Sequence, residues 1–361
     1  MSFPILICDD SALARKQLAR SLPTSLNADV HFAIHGLDAL AQLQQREFRL
    51  MFLDLTMPEL DGFATLEKMR ELAIAVPVVV VSGDIQPKAH ERVLALGAKA
   101  FIQKPLAPDA LRTVLKTWGP SAESVVQALS VPSRSSSVAL TSSEPNIESV
   151  RDPVPVRDPI AALVLKRRDI YREVANVAIG RAADTLARHF DVFVNLPLPN
   201  VNIFEVSELH MTLRDLADND RVSGVCQGFS GEGIAGEALV LLSDSSVADL
   251  NRLMKTQAGG EEIQGSELLL DVANILVGSF LNGLGEQAEV RFFQSPPVLL
   301  GQQLSIESVI QSTSGGFNKT MTFEVSYTIA NTSIRCDMLF MFVDASLPLL
   351  DSKLAYLMED L

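Results

Sequence analysis

The chain has 361 residues, 47% hydrophobic, 20% charged and 6% aromatic, enough for two or three globular domains. Lys and Arg number 30 against 44 Asp and Glu, a formal charge of −14, which excludes a protein built as a whole to grip nucleic acid. Cys8, Cys226 and Cys336 form no spaced pair, which excludes a disulfide framework and a zinc ribbon, and no uninterrupted apolar run approaches the roughly 18 residues that span a bilayer.

Residues 1–119 hold 13 basic and 13 acidic side chains, whereas residues 159–361 hold 14 and 26. A neutral first part and an acidic last part imply separate modules. In the first, short apolar runs alternate with period-3.6 patterns. Strands are expected at 5–8, 30–33, 50–53, 78–81 and 100–103, and helices at 11–22, 37–45, 63–72, 87–96 and 108–117. Five strands alternating with five helices specify an α/β doubly wound, five-stranded parallel sheet, whose ligands bind at the carboxyl ends of the strands.

Those strand ends carry the chemistry. Asp9 and Asp10 end the first strand, Asp54 ends the third, Ser82 follows the fourth and Lys104 follows the fifth. Three converging carboxylates repel one another unless a hard cation joins them, and Mg²⁺ with oxygen ligands meets that need. The Lys104 ammonium and Ser82 hydroxyl then suit a bound phosphoryl group. Asp54 is the expected nucleophile, becoming an acyl phosphate.

The motifs Asp9-Asp10-Ser11, Asp54 through Pro58 to Asp61-Gly62, Ser82-Gly83 and Phe101 through Lys104-Pro105 resemble the CheY-like receiver domain of two-component signalling, over the whole of residues 1–119. The resemblance implies Mg²⁺ at Asp9, Asp10 and Asp54, phosphorylation of Asp54 by a histidine kinase, and a switching role for Ser82 and Phe101. Phe101 lacks the hydroxyl that a Tyr would bring.

Residues 120–157 are rich in Ser and Pro, as in Pro132 through Ser137 and Asp152-Pro153-Val154-Pro155, and read as a flexible tether. One short helix is conceivable at 121–129. As a coil of 38 residues the tether spans about 30–35 Å, so the second module can reach its own receiver.

The second module, 158–361, contains an internal repeat. Asp169, Glu173 and Asn176 recur 98 residues later as Glu267, Asp271 and Asn274, and Pro199 recurs as Pro297. Each half, about 158–258 and 259–361, reads as a long helix, a Pro-marked extended segment, a strand hairpin and a short helix. The whole is an α+β domain with a pseudo-twofold repeat. The Gly-rich stretch 228–236 sits between strands and reads as a hairpin rather than a phosphate loop. His31, His35, His90, His189 and His210 show no metal-ligand spacing.

Glu173 and Asn176 share a helix face, with Asp169 a turn earlier, opposite an apolar stripe of Ile170, Val174, Val177 and Ala178. They are expected to be exposed. An Asn can position a water molecule but cannot act as its base; an acyl phosphate, being activated, needs little more. Asp169, three residues, Glu173, two residues, Asn176, 22 residues and Pro199 resemble the signature of the CheC/CheX/FliY phosphatases. The resemblance implies that Glu173 engages a receiver's Lys while Asn176 directs water at its phospho-Asp. The second copy, Asp271 and Asn274, departs in having Glu267 and Asp271 at the acidic positions, and is expected to be weaker.

The reading is a cytoplasmic response regulator whose output domain hydrolyses the aspartyl-phosphate of a CheY-like receiver, controlled by phosphorylation at Asp54. The rival is a phosphorylation-gated binding module without activity. Expected partners are a histidine kinase, a phosphorylated receiver and a second copy of the chain, with no nucleic acid or membrane. Contact with its own receiver is either productive, making phospho-Asp54 short-lived, or inhibitory; the expected form is inhibitory, masking Glu173 and Asn176 until phosphorylation releases them.

Overall fold

Strongly apolar runs at 50–53 and 78–81 can only be satisfied in the middle of a sheet covered on both faces, and the computed structural model places them there. It describes residues 2–119, 159–205, 222–257, 265–304 and 319–358; the expected tether lies outside these. The first part contains β1 (Phe3–Cys8), α1 (Ala12–Ser21), β2 (Ala28–Ala33), α2 (Gly36–Gln45), β3 (Leu50–Leu53), α3 (Gly62–Glu71), β4 (Val78–Ser82), α4 (Pro87–Ala95), β5 (Ala100–Gln103) and α5 (Pro108–Trp118). The strand order is β2-β1-β3-β4-β5, and every pair is parallel.

Successive residues of β3 and β4 feed opposite core layers, as a two-residue side-chain period requires. Met51, Leu53 and Val80 pack with Leu40 and Leu66, while Phe52 and Val79 pack with Leu111 and Leu115 of α5. Helix starts follow capping chemistry. The Ser11 hydroxyl accepts from the Ala14 N–H at 3.2 Å and Asp61 from the Ala64 N–H at 2.7 Å, and Pro stands in the first turn of α4 and α5.

The second part contains α6 (Pro159–Phe190), β6 (Val194–Asn195), β7 (Asn200–Glu205), β8 (Val222–Gly231), β9 (Ile234–Ser243), α7 (Asp244–Gln257), α8 (Gly265–Ala288), β10 (Phe293–Gln294), β11 (Val298–Leu304), β12 (Lys319–Ile329), β13 (Arg335–Val343), α9 (Leu347–Lys353) and α10 (Ala355–Met358). Its eight-stranded sheet is ordered β10-β8-β9-β13-β12-β6, with β11 also on β8 and β7 also on β12. β9 and β13 meet at the centre, where Leu239 faces Leu339. The short strands of each half pair with the long hairpin of the other, so neither half closes a sheet alone. The hairpin expected at 228–236 turns at Glu232 and Gly233, both with positive φ (51° and 84°), the primed-turn geometry that matches strand twist.

Helices α6 and α8 pack side by side on this sheet, with Val174, Ala178 and Ala182 meeting Leu276, Phe280, Phe323 and Phe340 in one core. Phe280 stacks on Phe340 with ring centroids 3.9 Å apart. By length and composition α8 could cross a bilayer, yet Leu268, Leu269, Val272, Leu276, Phe280 and Leu284 are buried in this core.

The two parts are in contact, and α6 makes most of the join. Leu13 of α1 is wholly buried in the second core, and its N–H donates to Asp169 at 3.1 Å. Gln86 and Val194 exchange two hydrogen bonds of 2.8 and 2.9 Å, Lys88 donates to the Asp191 carbonyl at 2.8 Å, and Phe63 meets Phe193 edge-on. Tightest is the crossing of Gly83 and Gly180: a Cβ on Gly180 would lie 1.8 Å from the Gly83 carbonyl oxygen. No side chain larger than hydrogen fits there.

Gly180→Val in the full chain is therefore expected to part the two domains while leaving each folded. Amide exchange should accelerate in 83–88 and 169–180 and stay slow in β3, β4, β9 and β13. Unchanged protection at 83–88 would mean that the contact is not held by this approach.

Candidate functional site

Parallel pairing in the order 2-1-3-4-5 delivers the ends of β1, β3, β4 and β5 to one edge. Oxygens of Asp9, Asp10 and Asp54 lie within 4.8 Å of one another. Lys104 reaches across to them, its Nζ 2.8 Å from Asp9 Oδ2 and 3.5 Å from Asp54 Oδ1. Asp9 also accepts from the Ser11 N–H at 2.8 Å, and Asp54 from the Thr56 N–H at 3.1 Å. The Ser82 hydroxyl, fully buried, accepts from the Asp84 N–H at 3.2 Å. Phe101 is half-buried at the β5 edge, edge-on to His90 with centroids 5.3 Å apart.

Helix α6 enters this same pocket. Glu173 places a carboxylate oxygen 3.0 Å from Lys104 Nζ, and Asn176 is only 7% exposed, its backbone against Gly83. Asn176, Asp169 and buried Pro199 border one narrow cleft with Asp10 and Ser11. The expectation of an exposed Glu173 and Asn176 is thus corrected. The middle of α6 is sandwiched between its own sheet and the receiver-like module, so it is covered on both sides and loses a solvent face. Beside the pocket a cavity of about 450 Å³ runs between the modules, bordered by Asp54, Lys104, Glu173, Arg181, Gln287 and Tyr356.

The electrostatics follow from crowding acids in a dry place. Burial drives the Asp54 carboxyl well above the usual range, against the pull of Lys104, and burial likewise raises Glu173, Asp10 and Asp169. Burial alone would lower Lys104, but Asp54, Asp9 and Glu173 outweigh it and hold the ammonium well above its ordinary value. Among the described residues, Asp54 Oδ1 is buried without a hydrogen-bond donor, the Lys104 ammonium standing off at 3.5 Å. An acid pocket with an unsatisfied carboxylate oxygen fits a hard divalent cation such as Mg²⁺.

The second copy is placed differently. Glu267, Asp271 and Asn274 are all exposed on α8. Asn274 is also engaged within its own domain, its carbonyl oxygen accepting from Gln227 at 2.9 Å. Pro297 precedes β11 as Pro199 precedes β7. The sequence reading missed Leu13, Gln86, Arg172 and Gly180, and took Gly83 only as part of a motif, because each matters through a contact between modules.

Comparison with known proteins follows the same division. Residues 5–116 match the response regulator receiver domain family. Over 114 residues the chain is 32% identical to the sensor histidine kinase RcsC of Salmonella typhi, covering 32% of this chain and 12% of that protein. Over 112 residues it is 31% identical to the transcriptional regulatory protein ZraR of Salmonella typhimurium, covering 31% and 25%. Among solved structures, the chemotaxis protein CheY4 of Vibrio cholerae is 25% identical with a TM-score of 0.31, covering 33% of this chain and 99% of that one. The chain thus matches about a quarter or less of the curated relatives' lengths. The first module is a CheY-like receiver domain of a two-component system, a type of domain phosphorylated by histidine kinases.

Incubation with acetyl phosphate and Mg²⁺ followed by borohydride trapping is expected to label Asp54, and Asp54→Asn to abolish the label. Full labelling of that variant would move the site elsewhere. A second expectation concerns Asp84 at the join, whose carboxyl burial pushes up to about 6 despite hydrogen bonds from Gln86. Its folded value lies above its ordinary 3.8, so its stabilising contribution is full below that and lost as pH rises through about 6. Asp84→Asn keeps an acceptor for Gln86 and should gain about 1 kcal/mol more at pH 7.5 than at pH 5, read from urea midpoints. An equal gain at both would contradict it.

Proposed function

We propose that the chain is a cytoplasmic response regulator whose C-terminal domain, resembling the CheC/CheX/FliY phosphatases, hydrolyses the aspartyl-phosphate of the receiver it covers. The observation that carries this reading is the contact of Glu173 with Lys104 at 3.0 Å in the pocket of Asp54, with Asn176 one helical turn along in the adjoining cleft of Asp10 and Ser11.

The chemistry asked of these residues is modest. Water attacks phosphorus in line, the bond from phosphorus to the Asp54 oxygen breaks, and phosphate leaves as the carboxylate is restored. Glu173 draws the Lys104 ammonium to itself and fixes the helix over the pocket. Asn176, a hydrogen-bonding group with no useful pKa, orients the water. Mg²⁺ bound by Asp9, Asp10 and Asp54 would supply positive charge against the phosphoryl oxygens. The cavity between the modules supports a route for water in and phosphate out. The burial of Asn176 and the pairing of Glu173 with Lys104 agree with the expected masking contact; the present reading adds that the same contact acts in cis.

The exposure of Glu267, Asp271 and Asn274 favours a second role, in which α8 meets a separate phosphorylated receiver. Asp271 is one methylene shorter than Glu173, and Asn274 is tied to Gln227. Misplacement by about 1 Å can cost on the order of 10²-fold in rate, so this copy is the slower one.

The test follows the decay of phospho-Asp54 after excess acetyl phosphate is removed. Asn176→Ala should lengthen its lifetime by about 10-fold or more, and Asn274→Ala should leave it nearly unchanged. An unaltered lifetime in Asn176→Ala would leave the rival, a phosphorylation-gated binding module, as the better account.

A further inference from the structure

Helix α6 brings a cation to the pocket as well as an acid. Arg172 donates to Asp10 Oδ2 at 2.8 Å. Asp10 is largely shielded from water by the docked helix, and the Arg172 side chain keeps about a third of its surface exposed (32%). Lys104 serves Asp9 and Asp54 from the receiver side. Arg172 serves Asp10 from the other domain. Adjacent residues of one helix therefore meet the pocket with opposite charges, Glu173 on the lysine and Arg172 on the aspartate.

Asp10 is also one of the three carboxylates suited to a divalent cation. A buried carboxylate cannot give its full charge to a guanidinium and to a metal at once, and two cations on one acid repel strongly where little water screens them. We propose that Arg172 competes with the divalent cation for Asp10, so that docking of α6 and metal occupancy oppose each other. The inference rests on the receiver pocket and the docked helix alone; it holds whether or not Glu173 and Asn176 support hydrolysis.

Coupling of this kind is reciprocal. The docked arginine weakens metal binding by the same factor with which the metal weakens docking. With Arg172 present, the metal-free receiver is held closed under α6. A rise in bound metal then loosens the cover before any phosphoryl group arrives.

Calorimetric titration of the full chain with Mg²⁺ at fixed ionic strength tests this directly. Arg172→Gln should bind Mg²⁺ about 5–10-fold more tightly than the unaltered chain, and Arg172→Lys, which keeps the charge, should stay close to it. Equal or weaker binding by Arg172→Gln overturns the proposal. A second measurement needs no substitution. Saturating Mg²⁺ should accelerate amide exchange at Leu13 and across 169–177, and unchanged or slower exchange there overturns it equally.

Discussion

A single ammonium group organises this molecule. Lys104 lies 2.8 Å from Asp9, 3.5 Å from Asp54 and 3.0 Å from Glu173, with almost no water to share the charge. Each acid is costly to bury by itself, and together they would repel. Removing one partner of such a buried set typically costs about 3–5 kcal/mol, because the remaining charges are left uncompensated. The receiver supplies three of the four members and the C-terminal domain the fourth. The chemical site and the domain interface are therefore one arrangement of charges.

The remaining contacts make that arrangement possible by letting two backbones come close. Gly83 follows Ser82 at the end of β4, and Gly180 lies one turn beyond Asn176 on α6. Their crossing brings the loop of the receiver's phosphoryl-binding edge against the helix that carries Glu173 and Asn176. Gln86 and Val194, Lys88 and Asp191, and Phe63 and Phe193 fasten the same loop and its neighbours on the far side. A displacement of Ser82 would be felt at this crossing, since close-packed backbone transmits displacement rather than absorbing it.

The two halves of the C-terminal domain show how a repeated motif comes to have unequal surroundings. Element order and strand pairing are alike in both halves, and β9 and β13 sit symmetrically at the centre. What differs is the covering. The face of Glu173 and Asn176 lies under a receiver, whereas the face of Asp271 and Asn274 is open. Gly278, 98 residues after Gly180, would meet only the flexible Gln294 side chain.

Much of this was legible in the residues. Alternating apolar runs and helical periods specified the receiver's ten elements, because strands buried on both faces and helices with one apolar stripe leave strong, short-range patterns. Asp9, Asp10, Asp54, Ser82 and Lys104 could be placed at one edge without coordinates, since strand ends of a doubly wound sheet converge by topology. The 98-residue repeat likewise told of two similar halves, and Gly228–Gly236 of the hairpin between β8 and β9. Tertiary structure alone decided which face of α6 is covered. Local periodicity records that a residue is polar, not whether its partner is water or Lys104. Arg172 resembled any surface arginine until Asp10 stood 2.8 Å away, and Gly180 any helical glycine until Gly83 crossed it. Contacts between residues 69 (Lys104 and Glu173) to 162 (Asp10 and Arg172) positions apart leave no periodic trace, and the association of the two domains is made of such contacts.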